Sequence, residues 1–315
     1  MKIVFLDALT LGEDIDLSSF SDVGEVVIYP ASTQEEIISR VRDCDVAITN
    51  KLKLNASNLA GAENLKLICI TATGFDNVDV GYARERGIGV CNVVGYSTNN
   101  VAQLTVGFVL DLINKTTEYR RSVSSGAYSE CGVANILSPT YHEIAGKTWG
   151  IVGFGNIGRK VASVAQALDC RILVNKREAV DGFECVDIDT LCRESDIISI
   201  HTPLNDGTRK LINGDRISQM KDGVILVNVA RGAVTDEDAL ASAIVDGKIG
   251  GFGCDVYSSE PFGKEHPFYA IKDYPNVILT PHMAWGSFEA RARLCDEVKK
   301  NILAFFAGDI RNRVD

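Results

Sequence analysis

The sequence predicts an α/β protein built from two doubly wound parallel-sheet domains. Three observations carry this expectation. Short apolar runs alternate with helix-length amphipathic segments along the chain, which is the pattern of βαβ units on a parallel sheet. At one junction, Gly153-Phe154-Gly155-Asn156-Ile157-Gly158, a Gly-x-Gly-x-x-Gly stretch stands between an apolar run and a helical segment, with a second apolar run beyond it. The length of 315 residues suits two domains of ordinary size.

The elements follow in chain order. Residues 3–6, 26–29, 46–49, 67–70 and 88–91 are apolar runs of strand length. Between the second and third, residues 33–41 carry Ile37, Ile38 and Val41 at helical spacing. This first unit has no glycine fingerprint. A long helix is expected over 98–124, opened by the cap-rich Ser97-Thr98-Asn99-Asn100 with Gln103 at capping-box distance from Asn100. Its positions Val101, Leu104, Val109, Leu110 and Ile113 suit burial. Residues 125–143 mix Gly, Ser, Pro and Tyr without a period and read as a loop. The second unit then offers six strands, at 150–152, 171–174, 197–200, 224–227, 250–254 and 277–279, with helices at 157–168, 213–220 and 236–245. The tail 287–307 reads as one amphipathic helix that returns to the first unit.

Composition narrows the function classes. A net charge of −10 argues against nucleic acid and anionic membrane surfaces as partners. No run of about 18 apolar residues is present, so no membrane span is expected. The start, Met1-Lys2-Ile3-Val4-Phe5-Leu6-Asp7, reads as a strand and not as a signal peptide. The nine cysteines are odd in number, lack C-x-x-C spacing and often sit in apolar runs. They read as buried reduced thiols of a cytoplasmic protein.

The glycine stretch has the context of a dinucleotide-binding fingerprint. Gly153 permits the tight turn, Gly155 lets the backbone approach a pyrophosphate, and Gly158 lets the helix pack on the strand. Ligands of such sheets sit beyond the carboxyl ends of the strands, so polar residues there deserve inspection. Arg231 follows the run 224–227, Asp255 and then Glu260 follow 250–254, and His282 follows 277–279. An arginine, a carboxylate and a histidine on one rim suit a reaction on a 2-oxo or 2-hydroxy acid. Arg231 would hold the carboxylate. His282 would exchange a proton with the oxygen on C2, and Glu260 would orient the ring and favour its protonated form. Each has a plainer alternative taken singly: a surface arginine, a turn glutamate, a satisfied loop histidine.

The runs Asn228-Val229-Ala230-Arg231-Gly232, Asp255-Val256-Tyr257-Ser258-Ser259-Glu260-Pro261, Leu279-Thr280-Pro281-His282 and Thr73-Gly74-Phe75-Asp76-Asn77-Val78-Asp79 resemble the D-isomer-specific 2-hydroxyacid dehydrogenases. The resemblance extends from the first strand to the last helix. It is closest to the glycerate dehydrogenase (hydroxypyruvate reductase) group, through Gly95-Tyr96-Ser97-Thr98 and His282-Met283-Ala284-Trp285 as well. It implies a Rossmann cofactor domain, 98–285, inserted into a flavodoxin-like substrate domain, 1–97 plus 286–315. It implies Arg231, Glu260 and His282 as the catalytic trio. It also implies substrate contacts from the Thr73 and Gly74 backbone N–H groups across a domain cleft, and from Tyr96. Tyr96 and Trp285 are either substrate contacts or simply core or hinge aromatics. Asp255 is implied near the nicotinamide amide. His201, Thr202, Pro203 and Thr208 are implied on the adenosine side, and Val229 and Ala230 along the cofactor. A homodimer through the cofactor domain, with a contribution from the helix after Thr98, is implied too.

One departure bears on the cofactor. An acidic residue for the adenosine ribose is expected about 20 residues past the glycines, yet the chain has Asn175-Lys176-Arg177 there. Two cations suit a 2′-phosphate, which favours NADP(H) over NAD(H). The alternative is that both point to solvent and NAD is held by other contacts. Competing functions are a nicotinamide-sensing binding protein on the same fold and a formate- or phosphite-type dehydrogenase. Glu260 argues against the formate enzymes, which replace the partner of the histidine.

Overall fold

The computed structural model describes residues 1–176 and 178–315. The expected cofactor contact Arg177 lies outside the described residues. The chain divides into two units, Met1–Ser97 with Gly286–Asp315, and Thr98–Trp285.

In the first unit β1 (Lys2–Phe5), β2 (Glu25–Ile28), β3 (Val46–Thr49), β4 (Leu67–Ile70) and β5 (Gly89–Cys91) form a parallel sheet in the order β2-β1-β3-β4-β5. Every residue of β3 and β4 is buried, which explains their unbroken apolar runs, since helices cover both faces of such a sheet. Helix α1 (Gln34–Arg40) starts at a capping box formed by Thr33 and Glu36. Short helices α2 (Ala56–Leu59) and α3 (Val80–Glu85) follow. The final helix α11 (Phe288–Ala307) starts at Ser287, whose hydroxyl accepts from the Ala290 N–H, and ends at Gly308 with φ 85°. The tail beyond it pairs with β5, Val314 N–H donating to Val90 O at 3.0 Å, so that edge is covered.

The second unit opens with α4 (Thr98–Asn114), α5 (Thr116–Ser124) and α6 (Ala127–Glu130). Its strands are β6 (Thr148–Val152), β7 (Arg171–Asn175), β8 (Glu184–Cys185), β9 (Ile197–Ile200), β10 (Val224–Asn228), β11 (Ile249–Cys254) and β12 (Val277–Leu279). They are parallel, in the order β12-β11-β10-β9-β6-β7-β8. The direction of winding reverses between β6 and β9, and ligands of open α/β sheets bind at that switch point. Helices α7 (Asn156–Ala167), α8 (Ile188–Glu194), α9 (Gly214–Gln219) and α10 (Glu237–Val245) make the crossovers. Helix α4 lies close on the sheet because β11 carries glycines. A Cβ at Gly253 would sit 2.9 Å from the Phe108 ring.

Several expectations need correction. Among the described residues the second sheet has a strand more than expected, β8, and α8 was not expected either. The long helix is broken at Lys115, which takes a left-handed φ of 55°. The expected loop 125–143 contains α6. Asn100 caps nothing, because the helix already begins at Thr98; its amide donates instead to Ala284 O at 2.6 Å. Cys131 is exposed, whereas Cys44, Cys69, Cys91, Cys170, Cys192, Cys254 and Cys295 are buried. Among the described residues, no helix is long and apolar enough to cross a membrane.

Candidate active site

The turn between β6 and α7 is shaped by what a side chain would hit. Gly153 has φ 90°, and a Cβ there would lie 2.8 Å from the His201 carbonyl. A Cβ on Gly158 would lie 2.3 Å from Gly153 O. At Gly155 a Cβ would enter open space. The first two glycines thus let chain segments touch, and the third leaves room on the outer side. Phe154 is buried, Ile157 half-buried and Asn156 exposed. Gly155 is the N-cap of α7 and brings no side chain to the first N–H groups of the helix. Those donors, with the positive end of the helix dipole, face the open side. This cradle fits the pyrophosphate of a dinucleotide.

Next to it, Trp149 donates through Nε1 to Ser199 Oγ at 2.9 Å, and His201 Nε2 lies 3.0 Å from the same oxygen. His201 Nδ1 is out of solvent and, among the described residues, has no hydrogen-bond partner. Burial pushes the His201 pKa down to about 3, so its ring is neutral. Thr202 is half-buried and Pro203 exposed. Thr208 closes their loop, its hydroxyl donating to Pro203 O at 2.7 Å and accepting from Asn205 N–H at 2.8 Å. At the end of β7 the Asn175 amide donates to Val186 O at 3.1 Å, and Lys176 is exposed.

The rim beyond β10, β11 and β12 carries the polar residues. Asn228 is fully buried; its Oδ1 accepts from Ala230 N–H at 3.0 Å and its Nδ2 donates to Arg231 O at 3.0 Å. One side chain thereby shapes the segment Val229-Ala230-Arg231. Arg231 is half-buried and donates through Nη1 to Ala230 O at 2.8 Å. Glu260 accepts from Tyr257 N–H at 2.9 Å through Oε1, and its Oε2 stands 2.6 Å from His282 Nδ1. With Nδ1 held by the carboxylate, Nε2 is the ring nitrogen placed to exchange a proton.

His282 adopts a left-handed φ of 54°, uncommon for a residue with a Cβ and kept only where surrounding contacts enforce it. Asp255 enforces it. That carboxylate is fully buried and accepts from Thr280 Oγ1 at 2.5 Å, Met283 N–H at 2.8 Å and Ala284 N–H at 2.8 Å. Burial pushes its pKa up, while these hydrogen bonds pull the other way. The resemblance implies a place for Asp255 near the nicotinamide; in the fold its carboxylate also holds the turn that presents His282. Neither this role nor that of Asn228 was read from the sequence. The available signal was a polar residue closing an apolar strand run.

Arg231, Glu260, His282 and the glycine turn all belong to the unit Thr98–Trp285, as does Trp285, half-buried against the core cluster of Trp149 and Ala284. Thr73, Gly74 and Tyr96 belong to the other unit. Thr73 Oγ1 donates to Val93 O at 2.8 Å, and Asn92 Nδ2 donates to Thr73 O at 2.7 Å. Tyr96 is buried, and its carbonyl accepts from Arg293.

A dinucleotide cradle, with an arginine and a histidine–carboxylate pair on the strand ends of the same sheet, defines a nicotinamide-dependent oxidoreductase. The family model described as D-isomer specific 2-hydroxyacid dehydrogenase, NAD binding domain, matches residues 106–284. The chain is 37% identical to glycerate dehydrogenase of Methylorubrum extorquens, over 100% of this chain and 99% of that protein. It is 34% identical to hydroxypyruvate reductase of Blautia hydrogenotrophica, over 100% of each. Its fold is similar to that of an acyclic imino acid reductase solved in complex with NADPH and D-Arg, with a TM-score of 0.88, 29% identity and 100% coverage of both chains. The chain belongs to the D-isomer-specific 2-hydroxyacid dehydrogenase family.

Proposed function

We propose that this enzyme reduces a small 2-oxo acid, hydroxypyruvate or glyoxylate, to the corresponding 2-hydroxy acid. The observation that carries the reading is the 2.6 Å contact between His282 Nδ1 and Glu260 Oε2 on the sheet that also bears the dinucleotide cradle. A nicotinamide held at the glycine cradle would supply a hydride to C2. Arg231 pairs with the substrate carboxylate. His282 gives its Nε2 proton to the C2 oxygen as the carbonyl π pair moves onto that oxygen, and Glu260 holds the ring in place through Nδ1. Thr73, Gly74, Tyr96 and Trp285 are the remaining substrate contacts. In support, no acceptor among the described residues is paired with the Thr73 or Gly74 N–H.

The cofactor is NADPH in preference to NADH, because exposed Lys176 follows β7 where a ribose-binding carboxylate would stand. Phe154, Asn156, Ile157, His201, Thr202, Pro203, Thr208, Val229 and Ala230 line the nucleotide, with Asp255 near its nicotinamide end. The enzyme is a cytoplasmic homodimer joined through the cofactor unit. The exposed apolar residues Val123, Tyr128, Val133, Leu137 and Tyr141 support that contact.

One panel tests the reading. Glyoxylate, hydroxypyruvate, pyruvate, phenylpyruvate and 2-oxoisocaproate are each offered with NADH and with NADPH. Turnover of hydroxypyruvate or glyoxylate is expected, with the higher kcat/KM for NADPH. His282→Ala should lower kcat by about 10³-fold while nucleotide binding survives. No turnover of any acid, with nucleotide bound, would instead favour a sensor.

A further inference from the structure

Outside the rim trio, the unit Thr98–Trp285 buries a second carboxylate–histidine pair. Glu237, the first residue of α10, is 8% exposed and His266 is 9% exposed. Their closest atoms, Glu237 Oε2 and His266 Nε2, are 3.0 Å apart. His266 Nδ1 accepts from the Phe268 N–H at 3.2 Å, so Nε2 is the nitrogen that bears a proton in the neutral ring. That nitrogen is out of solvent and lies off the line of an aligned hydrogen bond. Neither residue takes part in the hydride or proton steps described above, and burying a carboxylate without a task is costly.

The task is visible in what else the carboxylate holds. Glu237 Oε1 accepts from the Ser258 N–H at 2.9 Å, and Oε2 accepts from the Ser258 hydroxyl. Both donors of one loop residue are thus gripped by one carboxylate. Ser258 lies in the loop that ends in Glu260. In that loop the Tyr257 N–H donates to Glu260 Oε1, and the Tyr257 hydroxyl donates to Thr280 O at 2.8 Å, beside the turn of His282. On the other side, the chain runs from Arg231 through the short turn Gly232–Val234 to Glu237. Gly232, at the start of that turn, lies flush with the loop, since a Cβ there would fall 2.0 Å from the Tyr257 carbonyl carbon and 2.2 Å from Ser258 N. The two strand-end segments therefore touch at Gly232 and are locked at Glu237.

We propose that Glu237, backed by His266, is a positioning residue that clamps Ser258 and so sets the Glu260 carboxylate on His282 at a fixed distance from Arg231. The inference rests on Glu260 and His282 being the proton-handling pair. The clamp acts on kcat and not on nucleotide affinity, because none of its members lies at the glycine cradle. Removing a buried acceptor from two donors frees the loop to shift, and a shift of about 1 Å at reacting groups lowers rate by about 10²-fold.

The test uses the full chain with Glu237→Ala, Glu237→Gln and Ser258→Ala. Steady-state rates are read beside nucleotide binding followed by fluorescence. A second readout needs no substrate. The Nδ1 proton shared between His282 and Glu260 gives a downfield proton resonance, assigned by its loss in His282→Ala. Glu237→Ala should lower kcat by about 10²-fold with nucleotide affinity unchanged, and should shift or broaden that resonance. Glu237→Gln, which keeps an acceptor for the Ser258 N–H, should recover part of both. Ser258→Ala should fall between Glu237→Gln and wild type. Folded Glu237→Ala with wild-type kcat and an unmoved resonance would overturn the proposal. If the wild type turned over no 2-oxo acid, the functional reading would fail, while the resonance would still decide whether Glu237 positions Glu260.

Discussion

Replacing His201 with Gln should remove an acid weakness from the unit Thr98–Trp285. The ring is held neutral by burial, with its pKa pushed down to about 3 from an ordinary 6.5. In the unfolded chain the same ring takes up a proton once the pH falls below about 6.5. The unfolded state therefore binds more protons than the folded one, and stability drops as pH falls from about 6.5 towards 3. At pH 5 the unfolded ring has been protonated across about 1.5 pH units while the folded ring has not. At about 1.4 kcal/mol per unit this is about 2 kcal/mol. Glutamine is the replacement of choice because it offers a polar amide to Ser199 Oγ in place of a group that titrates. Urea unfolding at pH 7.5 and pH 5, followed by tryptophan fluorescence, reads this unit alone, since both tryptophans, Trp149 and Trp285, lie in it. The wild type should lose more stability than His201→Gln between the two pH values. Equal losses would refute the reasoning.

Two further outcomes are expected. Gly158→Ala pushes a methyl group to 2.3 Å from Gly153 O; it should lower stability by about 1 to 3 kcal/mol and raise the KM for the nucleotide. An unchanged Tm would mean that α7 can back away from the turn. Lys176→Asp restores a carboxylate for ribose hydroxyls and should move the kcat/KM ratio towards NADH by about 10-fold or more. A ratio that stays put would remove Lys176 from the cofactor account.

Much of the fold was legible because its strands are buried on both faces. Runs such as Leu67–Ile70 and Ile197–Ile200 stand out against polar flanks, and the glycine turn sits between a strand and a helix. What escaped was either too short or too distant for a local pattern. Strand β8 is only Glu184–Cys185, below any periodicity. The break at Lys115 depends on one backbone angle that no residue type announces. Asn100 resembled a cap until its amide was found on Ala284, far along the chain. In the site, arginine, glutamate and histidine announced themselves by type and by place after strands. Glu237 did not, and Asp255 stood out by its place but not by its task, because much of what they hold is backbone N–H from other loops, and a donor of that kind leaves no mark in the sequence.

The hydrogen bond from the Asn100 amide to the Ala284 carbonyl joins the first turn of α4 to the segment by which the chain leaves that unit. Way in and way out are therefore fastened together, like the mouth of a drawstring bag. A segment with such ends is portable. The two ends of residues 98–285 therefore lie near one another, and a short peptide would be expected to span them. Recombination can likewise exchange the nucleotide-binding cassette whole, leaving the residues on either side of it to be rejoined at a single place.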